Sequence, residues 1–415
     1  MPDKNVRRAA VSALRAWSKG HLYADSLVER HARRNRLSPP DRALLNSILF
    51  AVLRNRSLLD HWISMLRKGK LDHETRDVLR VGVCQLLLLG IPDHAAVNET
   101  VACARRPVRG LINAVLRRAV SARKTLFSER EKLPPPTRFS HPEWLCKRWQ
   151  KQFGREDTET LLSWNNEPAP VIVRLNPLAP SPLSPEQVET LTPVGVDGYY
   201  KLEDRLPSQW MEKGLVYVQD PSTRLAVELL APQPGEIILD ACAAPGGKSS
   251  LIAAAMKNDG VLLCTDVNEK RLPRLAENLR QQHLAIAGTG TFDWTTEAPV
   301  EWRGHFDRIL LDVPCSNTGV LRRRVDARWR LKSEQISVLA DLQRRILENA
   351  LPCLKPNGRL LYSTCSLEPA ENEEQVAAFQ ASHPGVELLD SRRSLPFRDG
   401  FDGSYAALLS CRTGP

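Results

Sequence analysis

Two cysteines stand in settings that ordinary buried thiols do not share. One lies in Leu310-Leu-Asp312-Val-Pro-Cys315-Ser-Asn-Thr-Gly319, the other in Tyr362-Ser-Thr-Cys365-Ser366. Each run follows an apolar stretch, so both thiols are expected at strand ends, with Asp312 beside them. An unpaired Cys is usually a small buried apolar group; two at neighbouring strand ends, in Pro-Cys and Thr-Cys, suit catalysis better. The chemistry they fit is methylation of a pyrimidine. Carbon 5 of that ring is too weak a nucleophile to accept a methyl group. Adding a thiolate at carbon 6 makes it enamine-like. A protonated carboxyl near ring N3 stabilises the developing charge, so Asp312 is expected to act as an acid. A second thiol can then remove the carbon-5 proton and let the enzyme leave.

A cofactor site is expected upstream. Asp240-Ala-Cys242-Ala243-Ala244-Pro245-Gly246-Gly247-Lys248-Ser-Ser follows an apolar strand and opens a helix. The two glycines let backbone approach a ligand closely. Lys248 adds a cation beside a helix N-terminus, suited to a carboxylate or phosphate. A phosphate-binding P-loop would need glycine where Cys242 stands, which counts against an NTPase. Gly-x-Gly-x-x-Gly is absent, which points away from NAD. Asp266 ends the next strand, where an acid can hydrogen-bond ribose hydroxyls. Asp293, in Phe292-Asp-Trp294, could meet an adenine amino group, although loop aspartates are common. Strand-end acids behind one Gly loop imply a nucleoside-type cofactor.

The other cysteines carry no such signal. Nine are present and no two lie within four residues, so zinc and thioredoxin-type spacings are excluded and no metal is expected. The histidines form no ligand or base constellation. Met1 to Ala10 has charges but no apolar core for a secretion signal, and no run approaches the ~20 apolar residues of a spanning helix. A cytoplasmic chain, with no membrane partner, is the expectation. Lys and Arg number 58 against 48 Asp and Glu, a formal charge of +10 over 415 residues. The excess is uneven. Residues 1–135 hold 26 basic and 12 acidic side chains, a balance of +14, so the remaining 32 and 36 balance at −4. A basic part joined to a near-neutral part suggests a polyanion, most simply nucleic acid.

The elements that must position these residues follow from hydrophobic periodicity. Residues 4–124 read as helices throughout, with Ser38 as a cap before Pro39 and Pro40, and no convincing strand. Pro134 to Pro136 mark a linker. A helix near His141–Phe153 and a strand at Val171–Leu175 suggest a small mixed segment. Beyond Val216, strands at 237–240, 261–266, 307–313 and 358–362 alternate with helices at 249–257, 270–281, 332–352 and 370–382. That alternation implies a parallel, doubly wound sheet, with ligands at its carboxyl ends.

The Pro-Cys and Thr-Cys pair, with the Gly-Gly-Lys loop, resembles the NOL/NOP/Sun group of RNA cytosine-C5 methyltransferases, and its bacterial small-subunit rRNA members in particular. Arg174-Leu-Asn176 and Gln219-Asp-Pro-Ser222 resemble further segments of that group. Ala95-Ala-Val-Asn98-Glu-Thr and Leu111-Ile-Asn113-Ala-Val-Leu-Arg117 resemble the NusB-type RNA-binding bundle. The resemblance implies that Cys365 is the nucleophile and Cys315 assists release. It also implies that Cys242 to Lys248, Asp266, Asp293 and Asp312 contact S-adenosylmethionine. The implied fold is multidomain, α plus α/β: a NusB-like helical bundle (1–135), a linker and small α+β subdomain (136–215), and a Rossmann-like class I methyltransferase domain (216–415). The implied partner is 16S rRNA, and a monomer is expected. Val313 departs mildly from the group's usual Ala or Pro, and the two Asp-Gly pairs in Asp399-Gly-Phe-Asp-Gly-Ser-Tyr405 leave the register of the last strand open. Six basic residues between Arg322 and Lys332, interrupted by Trp329, could grip an RNA strand or form a solvated loop. A non-catalytic RNA-binding or antitermination module is the alternative, and it leaves both thiols unexplained.

Overall fold

The computed structural model describes residues 5–20, 22–203 and 205–411. Residues 1–4 of the segment read for a secretion signal, including the start of the expected helical stretch at residue 4, lie outside the described residues. The chain forms two compact units: residues 1–168 with 321–331, and residues 169–320 with 332–415.

The first unit is helical. Its described residues up to 168 form eleven α-helices, from Val6–Ser18 to Arg155–Asn166. Ser38 caps the Pro39–Arg54 helix by accepting from Asp41 N at 3.3 Å. Leu45, Ile48, Leu49, Val52 and Leu53 are buried along that helix, as the spacing predicts. His73–Leu87 runs through the middle of the unit, buried on every side from Val78 onward. Helices at Ala24–Asn35 and Arg56–Leu66 also lie within the stretch read as helical, and the second buries Leu58, Leu59, Trp62, Ile63 and Leu66 at helical spacing. In Ala24–Asn35 the buried set is Ala24, Leu27, Val28, His31 and Ala32, and charged residues surround it.

Two expectations need correction here. Pro134 to Pro136 do not separate compact units: Pro135–Arg138 is a short helix, and the helices at Glu143–Phe153 and Arg155–Asn166 remain with the first unit. Pro is compatible with the first turn of a helix, so three prolines need not mean an open linker. The Arg322–Lys332 run is not a solvated loop either, although Arg324 and Lys332 are exposed. Arg322 and Arg328 are buried, and residues 321–331 pack within the helical unit. Arg328 donates to Asn166 Oδ1 at 2.7 Å and to the carbonyls of Asn165 and Leu321 at 2.8 and 3.3 Å. Trp329 Nε1 donates to Leu53 O at 2.8 Å, and Asp326 Oδ2 accepts from Ala24 N at 2.9 Å. Burial first, and then Arg54, lower the Arg328 pKa to about 9.

The second unit contains two sheets. The smaller has strands β1 (Ile172–Leu175), β2 (Thr192–Pro193), β3 (Tyr199–Lys201) and β4 (Val216–Val218), antiparallel in the order β2-β3-β1-β4. The larger has β5 (Ile237–Asp240), β6 (Val261–Asp266), β7 (Ala287–Thr291), β8 (Phe306–Asp312), β9 (Leu354–Thr364), β10 (Val386–Ser394) and β11 (Ser404–Cys411). Its order is β10-β11-β9-β8-β5-β6-β7. The five strands from β9 to β7 pair in parallel, as expected, but the sheet is mixed, because β11 runs antiparallel to β9 and β10 antiparallel to β11. Tyr405 stands opposite Thr364, and Ser410 opposite Arg359. That pairing settles the register of the last strand.

Alternate residues feed two cores. Leu239, Ile309, Leu311, Leu360 and Leu409 face one, and Ile238, Leu262, Leu310, Leu361 and Leu408 the other. Helix Gln335–Ala350 supplies Ile346 and Leu347 to the first core; Gly247–Ala255 and Leu272–Gln281 supply Ile252 and Leu275 to the second. Burial on both faces explains the near-continuous apolar strands. The strand order reverses between β5 and β8, where a doubly wound sheet opens its ligand crevice.

Truncating the buried guanidinium tests the unexpected anchoring of residues 321–331. Arg328→Ala leaves several buried acceptors unpaired and should destabilise the helical unit by about 2–4 kcal/mol. Urea denaturation followed by circular dichroism measures it, and an unchanged midpoint would mean that this side chain anchors nothing.

Candidate active site

β5 ends in Asp240, and the chain turns through Gly246 at φ +101° into the Gly247–Ala255 helix. Glycine reaches that left-handed conformation without steric cost. Packing is close as well: a Cβ on Gly247 would stand 3.0 Å from Gln219 Nε2, and one on Gly246 3.1 Å from Leu275 Cδ1, so either side chain would have to give by a few tenths of an ångström. Of the segments singled out before the large sheet, Arg174 reaches the helix that follows this turn, and Asn176 ties its own strand to neighbouring loops. Arg174 Nη2 donates to Ser250 Oγ at 2.6 Å, and Asn176 Nδ2 donates to Gly214 O at 2.9 Å and Gln282 O at 3.1 Å.

Lys248 is not a free cation. Its Nζ donates to Asp312 Oδ2 at 2.6 Å. Burial is the largest single influence on Lys248 and lowers its proton affinity. The charge and hydrogen bond of Asp312, followed by Cys365 and Asp240, outweigh it and leave the pKa raised. The side chain therefore stays an ammonium. Asp240 is fully buried, and Ser249 Oγ donates to its Oδ2 at 2.6 Å, while Oδ1 has no partner. Burial, aided by Asp312 and Asp266 and opposed by Ser249 and Lys248, pushes its pKa up to about 7. An unmet acceptor at the strand reversal suits a ligand with N–H or O–H groups.

The remaining loop residues are placed less uniformly. Cys242 is half-buried; burial and then Asp240, Asp312 and Asp266 push its thiol pKa well up. Asp266 closes β6, accepts from Asn268 N at 3.0 Å, and pairs with Arg271 at 3.0 Å. Arg271 also donates to Ala244 O and so ties Asp266 to the Gly loop. Asp293 is exposed, and its Oδ1 accepts from Thr295 N at 2.9 Å and Thr295 Oγ1 at 2.7 Å. That is the local turn role common to loop aspartates.

The two thiols do meet. Cys315 Sγ and Cys365 Sγ lie 3.2 Å apart, both half-buried, and Cys365 Sγ donates to Asn317 Oδ1 at 3.3 Å. Parallel pairing of β8 and β9 sets Asp312 opposite Ser363, so the two chains leave the sheet side by side. The hydrogen bond to Cys365, then burial and the charges of Cys365 and Glu371, raise the Cys315 pKa well above its ordinary value. Gly319 N donates to Cys365 O at 2.9 Å, and Gly403 N donates to Gly319 O at 2.8 Å. A Cβ on Gly319 would come within 2.6 Å of Gly403 O and 2.8 Å of Cys365 O, which leaves no room for a side chain.

Glu371 fastens both cysteine loops and has no counterpart in the sequence reading. Fully buried, it accepts from Ser316 N at 2.9 Å, Gln343 Nε2 at 2.9 Å, Ser366 Oγ at 2.6 Å and Ser316 Oγ. Ser316 follows Cys315 and Ser366 follows Cys365, so one carboxylate bridges the two. In sequence it belongs to Glu371-Asn-Glu-Glu374, where nothing separates it from the exposed Glu373 and Glu374. Asp240 had a clearer signal: an acid closing an otherwise apolar strand.

A sheet reversing at β5 and β8, with a Gly-rich turn, buried acids and thiols at its carboxyl edge, defines a Rossmann-like methyltransferase. Comparisons with known proteins narrow the class. The 16S rRNA methyltransferase RsmB/F model matches residues 227–407, the NusB model residues 4–121, and the RsmF/B-like ferredoxin-like model residues 141–185. The chain is 36% identical to ribosomal RNA small subunit methyltransferase B of Vibrio cholerae, over 98% of this chain and 97% of that one. It is 37% identical to the protein of the same name from Citrobacter koseri, over 99% of each. The solved structure of PH0851 superposes with a TM-score of 0.78 at 24% identity, covering 98% of this chain and 99% of that one, and so shares its fold. The chain belongs to the ribosomal RNA small subunit methyltransferase B family. No helix among the described residues is long and apolar enough to cross a membrane, and none of their His, Cys, Asp and Glu side chains form a metal-holding group.

Asp240 makes the stability pH-dependent. Its folded pKa, about 7, lies above the unfolded carboxylate value, so its contribution is fully present below about pH 4 and is lost as pH rises through 7. Asp240→Asn removes that titration. The variant should gain on the native chain by roughly 3–4 kcal/mol between pH 4 and pH 8, since each tenfold change in proton affinity on folding is worth ~1.4 kcal/mol. Thermal melts across that range measure the difference; a constant offset would rule out a titrating Asp240.

Proposed function

We propose that the chain methylates carbon 5 of a cytosine in 16S rRNA, through a covalent bond between Cys365 and carbon 6, with Cys315 aiding release. The 3.2 Å contact between two thiols at adjacent strand ends carries this reading. A fold with a binding crevice alone would need neither.

S-adenosylmethionine fits the crevice and supplies the methyl group when bound. Cys242, Ala243, Ala244, Pro245, Gly246, Gly247 and Lys248 would hold it from the turn, Asp266 and Asp312 from the strand ends, and Asp293 from the loop that follows β7. The unpartnered Oδ1 of Asp240 supports the fit, because a donor-rich ligand answers it.

The side chains divide the work. Cys365 attacks as the thiolate, stabilised by the S–H of Cys315 and by the Lys248 ammonium, whose own pKa is raised by Cys365. Cys315 keeps its proton because its pKa is raised. As charge develops on the ring, Lys248 passes a proton through Asp312, 2.6 Å away, to ring N3. At release Cys315 gives its proton to the departing Cys365 sulfur, 3.2 Å away, and takes the carbon-5 proton in its place. Ring N3 returns its proton to Lys248 through Asp312, the aromatic ring is restored, and Cys365 loses one proton to solvent before the next turnover. The target base must leave any stack to reach Cys365.

The two thiols should behave unequally when replaced. Cys365→Ala abolishes methyl transfer and leaves no covalent RNA complex. Cys315→Ala accumulates a protein–RNA adduct that survives denaturing gel electrophoresis. The opposite pattern would reverse the assignment. Absence of S-adenosylhomocysteine binding by calorimetry would instead favour the non-catalytic RNA-binding module.

A further inference from the structure

The carboxylate that joins the two cysteine loops carries a charge that its bridge does not require. Glu371 Oε1 accepts from two N–H groups, Ser316 N and Gln343 Nε2, each at 2.9 Å. Its Oε2 accepts from two hydroxyls, Ser366 Oγ at 2.6 Å and Ser316 Oγ. A hydroxyl accepts as readily as it donates. A glutamine here would therefore complete the same bridge, its oxygen toward the N–H pair and its amide toward the hydroxyls. It would also avoid the cost of burying a charge. Glu371 is fully buried all the same, and it forms no ion pair among the described residues.

That charge acts on one thiol of the pair. The hydrogen bond to Cys365, then burial, then the charges of Cys365 and Glu371 raise the proton affinity of Cys315, against one backbone N–H, that of Asn317. The opposite charge belongs to the other thiol: burial of Lys248 is outweighed by Asp312 and then by Cys365, so it stays an ammonium. The remaining titratable group that interacts with Cys315 is Tyr362 on β9. Burial, then Cys315, Glu371 and Tyr405, raise its pKa well above the ordinary value, so it stays neutral. Two sulfurs 3.2 Å apart thus feel charges of opposite sign.

We propose that Glu371 is a positioning residue that assigns the roles of the two thiols, its buried charge holding Cys315 as the S–H member so that Cys365 is the one that attacks. The assignment of roles rests on the covalent reading above; the effect on Cys315 does not. Glu371 makes and breaks no bond. It acts through Cys315, which must carry a proton to steady the Cys365 thiolate and to hand that proton on at release.

Labelling of the full chain with iodoacetamide, resolved by peptide mass spectrometry, tests the effect without RNA or cofactor. The parent carries Cys365→Ala, so that a single thiol of the pair titrates. Below its midpoint, the labelling rate of Cys315 follows its thiolate fraction. Adding Glu371→Gln should speed that labelling about tenfold near pH 9, the size expected for removing a nearby like charge. Ser366→Ala instead removes one arm of the bridge and keeps the charge, so it should leave the Cys315 rate where it was. An unchanged rate with Glu371→Gln, or an equal rise with Ser366→Ala, overturns the proposal. If Glu371→Gln melts early, Glu371→Asp keeps the charge and should hold the parent rate; a faster rate there overturns the proposal as well. With both thiols present, Glu371→Gln should move the alkaline limb of methyl transfer to lower pH, because Cys315 then loses its proton sooner, and KM for RNA should stay the same. An unmoved limb overturns the role in the reaction. If the native chain transfers no methyl group at all, the assignment of roles falls with the covalent reading, whereas the labelling rates decide the charge effect by themselves.

Discussion

Everything at the candidate active site depends on the parallel pairing of β8 with β9. That ladder places Asp312 opposite Ser363 and sends two loops out of the sheet side by side. Three residues past β8 and one past β9, a thiol appears on each, and their sulfurs come to 3.2 Å. A slip of one residue would turn each side chain to the opposite face of the sheet. The alternating burial of Leu310 and Leu311, and of Leu360 and Leu361, in two separate cores prevents that slip. Hydrophobic burial in the sheet is thus what sets the distance between the reactive atoms.

Charge is then used in a place where water is scarce. Lys248 with Asp312, Asp266 with Arg271, and Glu371 with two serines, a backbone N–H and Gln343 each satisfy a buried or half-buried group. Asp240 is the exception, with one oxygen unpartnered and its pKa pushed up to about 7. Buried polar groups left unmet cost stability, and they concentrate where a ligand is to supply the missing donor. Glu371 illustrates the complementary case. Fully satisfied, it pins both cysteine loops and confers rigidity rather than reactivity.

The helical unit recruits part of the chain that follows the Pro-Cys loop. Residues 321–331 lie far from residues 1–168 in sequence, yet they pack among its helices through Val325, Arg328 and Trp329. Read from sequence, the basic run there suggests either an RNA contact or a solvated loop, because charged side chains are mostly exposed. Arg322 and Arg328 are instead buried, Arg323 is half-buried, and Arg330 holds the turn before Ala24.

The sequence by itself determined the strands that carry the site, the residues at their ends, and the helical nature of the described residues between 5 and 124. Those features are local: apolar periodicity, a capping serine, and glycines where a strand turns into a helix. Only the tertiary structure decided the antiparallel β10–β11 hairpin, whose Ser404–Cys411 strand takes its partner from β9 some fifty residues earlier. It also decided that three prolines sit inside a compact unit, that Lys248 is paired, that Asp293 serves its own turn, and that Glu371 rather than its exposed neighbours joins the thiol loops. Each of these depends on which distant groups come within hydrogen-bonding or packing distance. That is set by the free energy of the whole assembled core, and no short stretch of residues encodes it alone.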